Sequence, residues 1–196
     1  LVGSEMCIRD RKEAADKGYK PAQETLERKS KDNSFGEQKL QEYQNNYKET
    51  GDIRILRTLA SFYVSLKKYD LAEKTYLQLI ELENYQPDYA SLAQMYDYKT
   101  QNYENAIKYY KLAIEKISNK TQKFDARDYW VRIGDMYFLQ NNFVEAEKAY
   151  KNSMAFKHPT DGKTYERNML IEIYKSQGRT EEMKKLEKQN KSWWNN

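Results

Sequence analysis

The chain has 196 residues, 33% charged and 39% hydrophobic, with a mean hydropathy of −1.08 and a formal net charge of +4. That is the length of one ordinary domain, and no stretch approaches the ~20 apolar residues that a membrane-crossing helix needs. The 34 Lys and Arg and 30 Asp and Glu are interspersed along the chain. This is the pattern of solvated helix faces and not of a basic nucleic-acid stripe.

Residues 1–11 read LVGSEMCIRDR. The string resembles a translated sequencing-adapter fragment, and it is set aside from the fold as a non-native segment. The expectation is that the true N-terminus lies upstream. Cys7 is the single cysteine, so the remaining chain can form no disulfide. Cysteine usage leaves the compartment open between cytoplasm and periplasm.

Residues 12–50 come next. Ala14-Ala15, Gly18, Pro21, Ala22-Gln23 and Leu26 follow the order in which a helix ends, a left-handed cap forms and a new helix starts with Pro in its first turn. This junction resembles a Sel1-like repeat, though the Gly and Tyr expected in the next helix are replaced by Glu-Arg-Lys. Asp32-Asn33-Ser34 predicts a turn, with Asn33 or Ser34 capping a helix to about Lys48. Leu40, Tyr43 and Tyr47 share one face of that helix. Thr50-Gly51-Asp52 breaks it, and Asp52 caps the next helix.

A repeat governs the rest. Three alanines, Ala72, Ala106 and Ala146, recur at 34 and 40 residues. The aromatics three before them (Tyr69, Tyr103, Phe143) and four after (Tyr76, Tyr110, Tyr150) keep those intervals. First-helix tyrosines Tyr63, Tyr96, Tyr137 and Tyr174 follow at 33, 41 and 37. Four helix pairs are predicted, over 53–86, 86–120, 127–160 and 164–191, with a tail at 192–196. The turn of the second pair holds one extra residue. Residues 118–125 are expected as a lengthened helix end or a surface loop. Pro159 closes the third pair. The fourth is polar, with Met183 and Glu187 at the small and aromatic positions, as a terminal cap would be, and Trp193 and Trp194 are placed in its tail.

The third copy, Trp130-x-x-Ile133-Gly134-x-x-Tyr137 followed by Phe143, Ala146 and Tyr150, resembles the tetratricopeptide repeat. The resemblance implies an all-α, right-handed solenoid of stacked antiparallel helix pairs. Ala60, Ala93 and Gly134, with Ala72, Ala106 and Ala146, are expected where paired helices approach most closely. It also implies a concave groove lined by Arg54, Arg57, Ser61 and Val64 in the first pair and by Ala90, Gln94 and Asp97 in the second. The third pair adds Asp128, Val131, Asp135 and Phe138, and the fourth Tyr165, Asn168, Glu172 and Lys175. Such a groove runs from basic to acidic, with Phe138 as an apolar anchor. Lys74 and Glu147 fall on the outer helices. The chaperone-tail clamp of the family is not reproduced.

No catalytic constellation emerges. His158 is the only histidine and lacks the partners a metal site requires. Phosphate-cradling loops and nucleophile elbows are missing. The expectation is a non-enzymatic scaffold with a protein or peptide partner, without metal or cofactor. The alternatives are a helical-repeat RNA binder and the docking arm of a larger enzyme.

Overall fold

The computed structural model describes residues 8–117, 123–156 and 164–193, and no strand occurs among them. The helices are α1 (Ile8–Asp16), α2 (Lys20–Thr50), α3 (Ile53–Ser65), α4 (Tyr69–Glu83), α5 (Gln86–Met95) with a π-helical turn at Tyr96–Thr100, α6 (Tyr103–Glu115), α7 (Lys123–Leu139), α8 (Phe143–Met154), α9 (Thr164–Ser176) and α10 (Thr180–Trp193). The fold is all-α and built from adjacent helix pairs. Two compact units divide the chain, residues 1–75 and 76–196, and α4 contributes to both.

In the first unit, Gly18 takes the left-handed conformation (φ 85°) after α1, and Pro21 sits in the first turn of α2. Ala15, Ala22, Leu40, Leu56, Leu59, Ala60, Tyr63 and Ala72 are buried. Tyr43 of α2 meets Phe62 of α3 edge-on, with centroids 5.4 Å apart. Gln44 Nε2 donates to the Tyr63 hydroxyl at 2.8 Å. Gly51 ends α2 with φ 64°, and the Asp52 carboxylate caps α3 by accepting from the Arg54 amide at 2.8 Å.

One expectation is corrected here. No turn forms at 32–34, because α2 runs unbroken from Lys20 to Thr50. Ser34 Oγ donates back to the Lys31 carbonyl at 3.0 Å instead of capping. Asp, Asn and Ser cost a helix only tenths of a kcal/mol each, and no Gly or Pro lies there to force a break. Residues 8–11, within the segment set aside at the N-terminus, form the first turn of α1.

In the second unit, α5 packs on α6, α6 on α7, α7 on α8, α8 on α9, and α9 on α10. The core holds Leu92, Ala93, Met95, Tyr96, Ala106, Tyr110, Ala113, Ile133, Met136, Ala146, Tyr150, Leu170, Ile173 and Tyr174. The helix α7 starts at Lys123, so 123–125 are helical, while 118–122, His158, Pro159 and Trp194 lie outside the described residues. Trp193 ends α10 rather than standing in a tail.

One turn geometry recurs four times. Lys67 (φ 59°), Gln101 (φ 53°), Asn141 (φ 57°) and Gly178 (φ 68°) are left-handed. The next amide reaches back to the first-helix tyrosine carbonyl: Lys68 to Tyr63, Asn102 to Tyr96, Asn142 to Tyr137 and Arg179 to Tyr174, all within 2.8–2.9 Å. These are Schellman-type caps, which satisfy helix-end carbonyls that would otherwise lack donors. In the second pair the bond spans one residue more. The π-turn absorbs the extra residue noted in the sequence, because each of its hydrogen bonds closes over five residues instead of four.

Candidate functional site

The small residues set how closely the helices approach. Ala60, Ala72, Ala93, Ala106 and Ala146 are fully buried. A Cβ built on Gly134 would stand 2.6 Å from the Tyr150 ring. Tyr63, Tyr96 and Tyr174 are buried, and Trp130 and Tyr137 are half-buried. These positions serve packing.

The groove positions divide into two groups. Gln94, Asp128, Tyr165, Asn168, Glu172 and Lys175 are exposed. Arg54 is exposed too, but its guanidinium folds onto the capping Asp52 at 2.7 Å. Arg57 and Val64 are half-buried, and Ser61 Oγ donates to the Arg57 carbonyl at 2.9 Å.

The other group faces inward. Ala90 is buried. Asp97 is also buried and is held by Arg132, whose Nε and Nη2 both donate to it at 2.9 Å, and by the Tyr110 hydroxyl at 3.3 Å. Asp135 accepts from Arg132 Nη1 at 3.0 Å and from the hydroxyls of Tyr150 and Tyr165 at 2.8 Å each. Phe138 packs against the cluster of Ala146, Tyr150, Leu170, Ile173 and Tyr174 and meets Phe143 edge-on at 5.5 Å. These three side chains are therefore engaged within the chain.

Beside the remaining groove residues stand Tyr98, Tyr129 and Arg132, to which no role is assigned from sequence. A cleft of about 450 Å³ opens within the second unit, lined by Gln94, Tyr98, Tyr110, Asp125, Asp128, Tyr129, Val131 and Arg132. Tyr110 and Tyr129 stack with centroids 5.3 Å apart. Gln86 Nε2 fixes the Tyr129 hydroxyl at 3.0 Å. The Arg132 guanidinium lies over the Tyr98 ring, 4.6 Å from its centroid, and Tyr98 is 57% exposed. The π-turn carries Asp97 and Tyr98 as neighbours, one turned into the ion pair and one toward the cleft. The unequal count between Tyr96 and Tyr103 is the sequence signal for this device.

Electrostatics follow from the packing. Burial works against the Arg132 charge, but hydrogen bonds and attraction from Asp97, with Asp135 behind it, raise its pKa above the usual arginine value. Burial pushes the Tyr110 and Tyr129 hydroxyls up, so both stay protonated. Arg132 is balanced by two carboxylates. Among the described lining residues, Asp125 and Asp128 then leave an excess of negative charge. Arg127 approaches Asp128 at 3.5 Å, but its shorter contact, 2.7 Å, is to the fully buried Glu166.

Among the described residues, no group of His, Cys, Asp and Glu is arranged to hold a metal ion. No helix among them is long and apolar enough to cross a membrane.

Helix pairs joined by one recurrent turn, with an open polar cleft between first helices, define a helical-repeat protein. The sequence model of the tetratricopeptide repeat matches residues 53–85 and 89–115, so these two segments are tetratricopeptide repeats. A crystal structure of MamA superposes with a TM-score of 0.59 at 16% identity, covering 98% of this chain and 100% of that one. A second, of a MamA protein, gives 0.59 at 17%, with 82% and 83% covered. BtubC (BKLC) from P. vanneervenii gives 0.58 at 14%, with 94% and 85% covered. At these identities the likeness is one of fold. No curated protein matches the chain in sequence.

Proposed function

We propose that this chain is a non-enzymatic scaffold that holds a protein or peptide partner against its first-helix face, with the cleft of the second unit as the docking point. Gln94, Asp128 and Val131, assigned to the groove through the repeat register, converge on one walled cavity, and this convergence carries the reading. A cavity of that size falls in the ~300–1,000 Å³ range of ligand-binding clefts. A preformed groove also lowers the ordering cost of binding. The repeat organisation extends in this reading to 127–160 and 164–191, with a degenerate Sel1-like start over 12–50.

The test begins with affinity capture and identification of a partner. Gln94→Lys with Asp128→Lys should then weaken the purified partner's binding about tenfold or more, a loss of at least ~1.4 kcal/mol. Circular dichroism should remain unchanged. Arg54→Glu with Arg57→Glu serves as the second groove change, and Lys74→Glu as the outer-face control. Binding lost through Lys74 and retained in both groove variants would overturn the assignment. Tight, sequence-selective RNA binding at physiological salt would overturn it as well, since non-specific phosphate contacts fade under those conditions.

A further inference from the structure

We infer that the cleft takes a cationic side chain, a lysine or arginine of the partner segment, against the rings of Tyr98 and Tyr129 and the carboxylates of Asp125 and Asp128. This rests on the docking reading above and supplies its chemistry. The first support is charge. Among the described residues the lining contains one cation, Arg132, and it is already engaged by Asp97 and Asp135. Asp125 and Asp128 are exposed, Asp128 with 71% of its side chain accessible. An anionic group entering here would meet both carboxylates. A cation would meet them with its own charge compensated.

The second support is the wall. Tyrosine faces carry negative potential and attract cations within about 6 Å of the centroid. The cleft already contains one such contact, Arg132 over Tyr98 at 4.6 Å. The stacked Tyr110–Tyr129 pair gives an apolar floor for the methylene stem of a long basic side chain. The third support is rigidity. The π-turn, the Asp97–Arg132 pair and the Gln86–Tyr129 hydrogen bond fix the surrounding side chains before any partner arrives.

The test uses the full chain, isotope-labelled, titrated with three synthetic peptides. These are acetyl-Gly-Ser-Lys-Ser-Lys-Ser-Gly-amide and the same peptide with glutamate or norleucine in place of lysine. The lysine peptide should shift the amides of Gln94, Tyr98, Asp128 and Arg132 saturably, and the other two should not. Asp125→Asn with Asp128→Asn should weaken the lysine peptide about three- to tenfold, the range for losing one or two exposed charge contacts. Tyr98→Leu, at an exposed site, should weaken it as well.

Equal shifts from the norleucine or glutamate peptide would overturn the cation reading and leave the docking reading intact. Lysine-peptide binding that is absent from the cleft, or indifferent to both variants, would also overturn it. Failure of the docking reading looks different: the captured partner's affinity would ignore Gln94→Lys with Asp128→Lys.

Discussion

Gly134 has almost no free space around it. Alanine there would improve helix propensity by about 1 kcal/mol, but its Cβ would stand 2.6 Å from the Tyr150 ring. Tyr150 cannot swing away freely, because its hydroxyl is bonded to Asp135. Overpacking should win. Gly134→Ala is expected to lose about 1–2 kcal/mol and Gly134→Leu more, read by urea unfolding. An unchanged midpoint for both would mean that α7 and α8 are not in close contact at this point.

Glu147 falls on an outer helix by register, yet it is no free surface charge. Burial opposes its ionisation, but donors from Arg179 (2.6 Å), Lys151 (2.5 Å) and Tyr174 (2.9 Å) outweigh that and hold the carboxyl at about 2, against 4.5 ordinarily. A depressed carboxyl stabilises the fold above its unfolded pKa and loses that contribution as pH falls through the folded one. The loss should therefore appear between pH 4.5 and about 2. Urea unfolding across that window should show a shallower decline for Glu147→Gln than for the parent chain. Identical declines would separate Glu147 from the acid sensitivity.

At the scale of elements, the turns carry their own prediction. Lys67 adopts a left-handed conformation at the position where Gly178 stands in the last pair. Lys67→Gly should stabilise by about 0.5–1 kcal/mol by removing the Cβ strain. Lys67→Val should destabilise, since branched residues tolerate this region poorly. Thermal melts of the two variants should bracket the parent.

The π-turn offers a sharper contrast. Lys99 is exposed, and Lys99→Ala should stay within about 0.5 kcal/mol. Deleting Lys99 leaves the composition nearly unchanged but returns the turn to α-helical spacing and rotates Asp97 away from Arg132. That should cost on the order of 3 kcal/mol, the scale for breaking a buried ion pair. Equal effects from replacement and deletion would remove the π-turn's positioning role.

For the whole molecule, each helix in the second unit packs mainly on its sequence neighbours. Contacts are therefore local, and local topologies fold quickly. Stopped-flow refolding monitored by far-UV circular dichroism should recover most of the helical signal within about a second. A dominant slow phase would conflict with a nearest-neighbour fold.

The alternation of small residues, aromatics and turns was legible along the chain because each repeat must solve the same local problem. Ala60, Ala72, Ala93, Ala106 and Ala146 are fully buried, and Gly134 leaves no room for a Cβ beside Tyr150. The unbroken α2 was not legible. Asp32-Asn33-Ser34 carries turn-forming side chains, and their preference is weaker than the tertiary packing along the helix. The cleft was half legible. The repeat resemblance placed Gln94, Asp128 and Val131 on the groove face, and all three line the cleft. The resemblance also assigned Asp97, Asp135 and Phe138 to that face, although their side chains bond or pack inside the chain. Arg132, Tyr98 and Tyr129 carried no local mark, because their roles depend on partners 19 to 43 residues away or on the π-turn. Sequence by itself therefore determined the all-helical fold and the pairing of the repeat helices, both products of local spacing. Only the tertiary structure decided which charges are neutralised internally and which stay exposed at the cleft, because hydrogen bonds and ion pairs between helices distant in sequence settle that division.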